Sequence, residues 1–183
     1  SSIARSPASS PAPINHYGRT KLAGDRAIEE SGANHVIFRT SWVYSARGNN
    51  FMKTMLRLAL EKTELNVVAD QIGSPTPARL IAQITALAIH SNLGRGVYNL
   101  APTGETSWHG FAVEIFRQAL KEREGQVIDP LKVHAIPTSA YPTPAKRPLN
   151  SRMDVSKLER ALSIQLPDWR SQLEITLSEY LEK

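Results

Sequence analysis

An α/β fold is what this sequence predicts, on three observations. Helical and extended segments alternate from Asn15 to Leu181. The helical ones repeat an apolar face at the helical period, and the extended ones are short and rich in β-branched and aromatic residues. At 183 residues and 41% hydrophobic, the chain is also long and apolar enough to pack a core.

Residues 1–14, dominated by Ser, Ala and Pro, cannot bury enough apolar surface to order themselves and are expected as a loop or disordered segment. A helix is predicted from Asn15 or Tyr17 to about Ser31, carrying Leu22, Ala23, Ala27 and Ile28 and stopped at Gly32. The run His35–Tyr44 reads as a buried strand with a loop after it. A helix from about Asn50 to Lys62 presents Phe51, Met55, Leu58 and Ala59 on one face, and Leu65–Ala69 reads as a short strand.

Gly73–Pro77 carries turn signals and leads into an apolar helix from about Ala78 to Ser91. Gly96–Leu100 is a strand, and Thr106 or Ser107 can cap a helix to about Glu122 with Phe111, Ile115, Phe116 and Ala119 inward. A strand at Val133–Ile136 precedes an extended proline-rich loop, Pro137–Pro148. Asp154 can cap a short helix through Leu162, and a last helix from Asp168 to about Leu181 puts Leu173, Leu177 and Leu181 on one stripe.

Several function classes are disfavoured at once. No apolar run is long enough to span a bilayer and Ser1–Arg5 lacks the apolar stretch of a secretory signal, so a cytoplasmic protein without a membrane partner is expected. With no cysteine there is no disulfide framework and no thiolate metal site. The five histidines show no ligand spacing, so no catalytic metal is expected. The formal charge of +5 comes from scattered Lys and Arg rather than from a basic stripe interleaved with aromatics, so no nucleic-acid partner is expected either. The ten glycines are isolated or paired, and none forms the glycine-rich turn between strand and helix that cradles a dinucleotide pyrophosphate.

The sharpest chemical signal is Tyr17-Gly18-Arg19-Thr20-Lys21. Residues four apart on a helix share a face, so Tyr17 and Lys21 should be stacked neighbours. A phenol titrates too high for acid-base work at neutral pH, and a nearby ammonium lowers it by stabilising the phenolate. Hydride addition to a ketone leaves an alkoxide that such a phenol can protonate. The following strand ends in Arg39-Thr40-Ser41-Trp42, polar and aromatic groups at the carboxyl edge where open α/β sheets bind ligands.

The segment Asn15 to Gly24 resembles the Tyr-x-x-x-Lys stretch of extended short-chain dehydrogenases/reductases, within them the dTDP-4-dehydrorhamnose reductase family. The resemblance continues in order through Phe38–Tyr44, Asn50-Phe51, Asp70–Thr76, Thr138–Ala145 and Arg147–Ser151. It implies the C-terminal part of such an enzyme: residues 15–62 as the end of a Rossmann-like sheet with the Tyr-bearing helix, and residues 63–183 as mostly a small mixed α/β substrate-binding region with some segments returning to that sheet. It implies reduction of a dTDP-linked 4-keto-6-deoxy sugar to dTDP-L-rhamnose with NADPH or NADH, for a cell-surface polysaccharide such as the O-antigen of lipopolysaccharide.

By the same resemblance Tyr17 is the acid and Lys21 its partner and the holder of the cofactor ribose. Arg39 and Thr40 lie beside the nicotinamide, with a purely structural ion pair the alternative for Arg39. Trp42 packs on the sugar ring, with a plain core tryptophan as its alternative, and Asn50 and Arg147 meet the diphosphate. Some family members pair subunits through magnesium held partly by a carboxylate in the turn that here reads Pro75-Thr76-Pro77-Ala78-Arg79. Arg79 stands in the acid's place, and a cation does not hold a cation, which weighs against magnesium without removing it from the family's cofactors. A homodimer stays open. Because family members carry their dinucleotide-binding half before this tyrosine, the polypeptide alone is expected neither to hold NADPH tightly nor to turn over. The other class left open is a non-catalytic sugar-nucleotide-binding or regulatory module of the same fold.

Overall fold

The computed structural model describes residues 13, 15–122, 129, 132–143 and 147–182. The expected loop at residues 1–14 lies outside them except for Pro13, as do residues 144–146 of the proline-rich stretch.

Helix α1 spans His16–Glu30. Asn15 starts it in extended geometry, its side-chain oxygen accepting from the Gly18 amide at 2.8 Å, as an N-cap does. Gly32, at φ 72°, takes the chain out. No residue of α1 is buried. Its apolar positions Leu22, Ala23, Ala27 and Ile28 therefore face outward or are only half-covered, and Ile28 is among the exposed large hydrophobics.

The run expected as one buried strand is two. Strand β1 is Val36–Arg39 and β2 is Val43–Tyr44. Between them Trp42 adopts a left-handed backbone at φ 51°, a region that bulky side chains rarely enter, and this ends the ladder in spite of the β propensity on either side. Nor is the run wholly buried: Ile37 and Tyr44 are, whereas Val36 and Val43 are exposed. Helix α2, Phe51–Glu61, is capped by Asn50, and strand β3 is Leu65–Val68. The turn segment forms two short strands, β4 at Ile72–Gly73 and β5 at Thr76–Pro77, and helix α3 follows at Ala78–His90.

Strand β6 is Gly96–Asn99 and β7 is Thr106–Ser107. Helix α4, Trp108–Glu122, starts where the Ser107 hydroxyl accepts the Gly110 amide at 3.0 Å. Strand β8 is Val133–Ile136, followed by a 3-10 turn at Thr138–Ala140. Helices α5, Ser156–Leu162, and α6, Trp169–Leu181, complete the described chain, the latter capped by Asp168.

Among the described residues the strands pair two by two. Strands β1 and β6 are parallel with Phe38 opposite Tyr98, β2 and β5 are parallel, β3 and β8 are parallel with Val67 opposite Ala135, and β4 and β7 are antiparallel. Two cores result. One joins α2, β3, α4, β8 and α6 around Met52, Phe111, Phe116, Trp169 and Leu173. The other joins α3, β6 and α5 around Leu80, Ile84, Tyr98, Leu100 and Leu158, with Phe38 of β1 packed against it. The inward face read for α4 is the centre of the first core, with Phe111, Ile115 and Phe116 each at 0% exposure. That core holds α4 against β3 and so fixes one wall of a cavity.

Candidate functional site

Tyr17 and Lys21 do stand one helical turn apart, with the Lys21 ammonium 5.5 Å from the centre of the Tyr17 ring. Tyr17 is 68% exposed, so its hydroxyl is open to a reactant. Tyr44 is the opposite case: it is 2% exposed, and burial, opposed only in part by Thr176, pushes its phenol well above the ordinary value. A buried phenol so shifted is no donor for neutral chemistry.

Arg39 is committed to Asp25 of α1 through two of its nitrogens, at 2.9 Å and 2.8 Å. Its observed use is the ion pair that ties α1 to the end of β1. The next two residues behave differently: the hydroxyls of Thr40 and Ser41 are buried and have no hydrogen-bond partner among the described residues. Orphaned buried hydroxyls are uncommon, and here they lie at the carboxyl edge of β1.

Trp42 stacks on Trp108, ring centres 3.9 Å apart and planes 16° from parallel. The close fit has a backbone cause, because a Cβ built on Gly73 would stand 2.9 Å from the Trp42 ring and 3.3 Å from Ser151. Trp108 also leans on Phe51 at 4.7 Å. Phe51, Met55, Val67 and Trp108 wall a cavity of about 480 Å³, to which Gln71 and Arg147 bring polar groups. An aromatic wall with a few convergent polar groups is the ordinary form of a small-molecule site.

Of the expected site residues, the structure therefore joins Tyr17 with Lys21, and Trp42, through Trp108, with the cavity that Arg147 lines. Asn50 sits elsewhere, along a groove of about 300 Å³ with Lys53, Arg57 and Tyr180. Its amide is already used, accepting from the Lys53 amide and donating to the Ser45 carbonyl at 2.7 Å. Arg79 pairs with Glu179 of α6 at 2.5 Å. Among the described residues no group of three or more His, Asp or Glu side chains is gathered as for a metal, and no helix is long and apolar enough to cross a membrane.

Sequence reasoning missed Gln71 and Trp108. Gln71 is 6% exposed and accepts from the Trp108 indole nitrogen at 3.1 Å. The available signal was a tryptophan directly after a helix cap, Ser107-Trp108, in place of the polar residue such a position usually carries.

A family profile described as the RmlD substrate binding domain matches residues 4–182. The chain belongs to that family. Among curated relatives it is similar to dTDP-4-dehydrorhamnose reductase of Escherichia coli K12, 48% identical over 172 residues that cover 92% of this chain and 57% of the relative. Among solved structures it is similar to dTDP-4-dehydrorhamnose reductase from Bacillus anthracis in complex with NADP, with 38% identity, a TM-score of 0.83, and coverage of 94% of this chain and 58% of that one. The Clostridium acetobutylicum dTDP-4-dehydrorhamnose reductase structure matches at 33% identity with a TM-score of 0.86 over 99% of this chain and 62% of that one. The resemblance read from the motifs is thus borne out, as is the α/β fold of the extended reductases. The chain spans 57% of the length of the E. coli relative.

Proposed function

We propose that this chain carries the sugar-nucleotide site and the proton-donating pair of a dTDP-4-dehydrorhamnose reductase. The observation that carries the reading is the cavity of about 480 Å³ with Phe51 and Trp108 on its wall and Arg147 at its edge. A flat pyrimidine suits the aromatic wall, and a guanidinium binds a diphosphate bidentately. The Trp42 indole braces that wall from behind, stacked on Trp108. Asn50 contributes through its cap, which starts the helix that brings Phe51 and Met55 to the cavity.

When bound, NADPH or NADH supplies the hydride that adds to the C4 carbonyl carbon. Tyr17 gives its hydroxyl proton to the oxygen that gains the electron pair, and Lys21 stabilises the phenolate left behind. The residues present fit the nicotinamide end of such a cofactor, since Lys21 is exposed beside Tyr17 and the buried Thr40 hydroxyl has no partner among the described residues. They do not fit its pyrophosphate, for which the sequence has no glycine turn. In this reading residues 15–62 complete a Rossmann-like sheet, residues 63–183 mostly bind substrate, and turnover requires a dinucleotide-binding half beside them. The product, dTDP-L-rhamnose, would supply a cell-surface polysaccharide.

The test is NADPH oxidation with dTDP-4-dehydro-6-deoxy-L-mannose, using this chain joined to a dinucleotide-binding half of the same family. Turnover that depends on Tyr17 is expected, and absence of turnover in a folded, NADPH-binding protein would overturn the enzymatic assignment. One observation favours a second reading, a non-catalytic binding module: α1 has no buried residue. That reading expects dTDP-sugar binding without NADPH consumption in the same assay.

A further inference from the structure

The 3-10 turn that opens the proline-rich loop is fastened to the cavity wall by a continuous run of hydrogen bonds. The Thr138 amide donates to both Asp70 carboxylate oxygens at 2.9 Å, and its hydroxyl donates to one of them at 2.5 Å. The same hydroxyl accepts from the Gln71 side-chain nitrogen at 3.1 Å, and the Gln71 oxygen accepts from the Trp108 indole at 3.1 Å. Every polar atom in this run has a fixed role, so it has one direction and one arrangement.

The far end of the loop is held by the next residue along. The Ile72 amide donates to Leu149 at 2.8 Å, and the Ile72 carbonyl accepts from Ser151 at 2.7 Å. Asp70, Gln71 and Ile72 therefore grip both ends of the stretch that brings Tyr141, Thr143 and Arg147 to the cavity. Gly73, the next residue, lies under the Trp42 ring.

We propose that Asp70 and Thr138 are positioning residues for the sugar nucleotide. Through Gln71 they orient Trp108 on the cavity wall, so ligand affinity depends on two side chains that do not line it. The inference rests on the nucleotide site proposed above.

Thymidine diphosphate titrated calorimetrically into the 183-residue chain separates the two. Thr138→Val and Asp70→Ala should each weaken binding about tenfold, the scale of one net hydrogen-bond contribution. Thr138→Ser, which keeps the hydroxyl, should restore it to within about twofold. The double variant should bind no more weakly than either single one, because both break the same run. The Trp108 indole N–H resonance should move in the two weakened variants, while that of Trp169 stays. If Thr138→Val does not fold, Asp70→Ala, changed at an exposed carboxylate, carries the test. Parent-like affinity in a folded Asp70→Ala variant would overturn the positioning role alone. No thymidine diphosphate binding by the parent chain would overturn the nucleotide site and this inference with it.

Discussion

Gly73 lies so close beneath Trp42 that a β-carbon there would stand 2.9 Å from the indole. The contact sits between a strand residue and a residue with a left-handed backbone, and it is what lets Trp42 lie flat on Trp108. Gly73→Ala should therefore displace the ring, because Ser151 closes the other side at 3.3 Å. Overpacking of this kind costs about 1–3 kcal/mol. Urea denaturation should show the loss of stability, and near-ultraviolet dichroism should show a weakened tryptophan signal.

Tyr17→Phe removes a hydroxyl from a side chain that is 68% exposed and leaves the helix otherwise intact. Stability should stay within about 0.5 kcal/mol of the parent. In the joined protein, reduction of the 4-keto sugar should slow by about a hundredfold or more, the usual contribution of a positioned acid. Steady-state rates at saturating substrate provide the check, and a parental rate would rule out Tyr17 as the acid.

Arg147→Lys keeps the charge at the cavity edge but loses the planar fork. Thymidine diphosphate should bind about tenfold more weakly, while thymidine, which has no diphosphate, should bind equally well to both forms. Paired titrations with the two ligands decide it.

Acid stability should depend on Glu114. Hydrogen bonds from Arg117, the largest influence, and from Gln118 hold its carboxyl below the ordinary value of 4.5, against the opposing pull of burial. Because the folded state binds the proton less readily than the unfolded chain, the stabilisation is complete above the ordinary carboxylate range and fades as pH falls through the lowered folded value. Thermal unfolding followed from neutral pH downward should show a shallower acid decline for Glu114→Gln than for the parent.

Much of the framework could be read from local chemistry. Asn15 before a helical run and Gly32 after it mark the limits of α1, and the cap at Asn15 is observed at 2.8 Å. The inward face of α4 follows from spacing alone, because Phe111, Ile115, Phe116 and Ala119 recur at the helical period. The break at Trp42 could not be read that way, since its neighbours favour strand on both sides and the left-handed turn answers to distant partners: Thr76, whose amide bonds the Trp42 carbonyl, and Gly73 beneath the ring.

The site divides along the same line. Tyr17 and Lys21 are neighbours on one helix, so their spacing was enough to pair them. Gln71 and Trp108 are far apart in sequence and meet only because β4 pairs with β7, which leads into α4. Asn50 carried two signals at once, a polar group near an expected ligand and a cap before an apolar run, and its side chain is used by the cap, at the Lys53 amide, and by the Ser45 carbonyl.

The tryptophans have an optical consequence. The chain contains three. Trp42 stacks on Trp108, Trp108 leans on Phe51, Phe51 stacks on Phe111 at 5.5 Å, and Phe111 meets Trp169 edge-on at 6.0 Å. All the indole emission of this protein thus originates along one ladder of rings that begins beside the cavity and ends in the core. Light absorbed at the buried end can pass to the stacked pair, so the native fluorescence reports on the ligand-facing end without any added label.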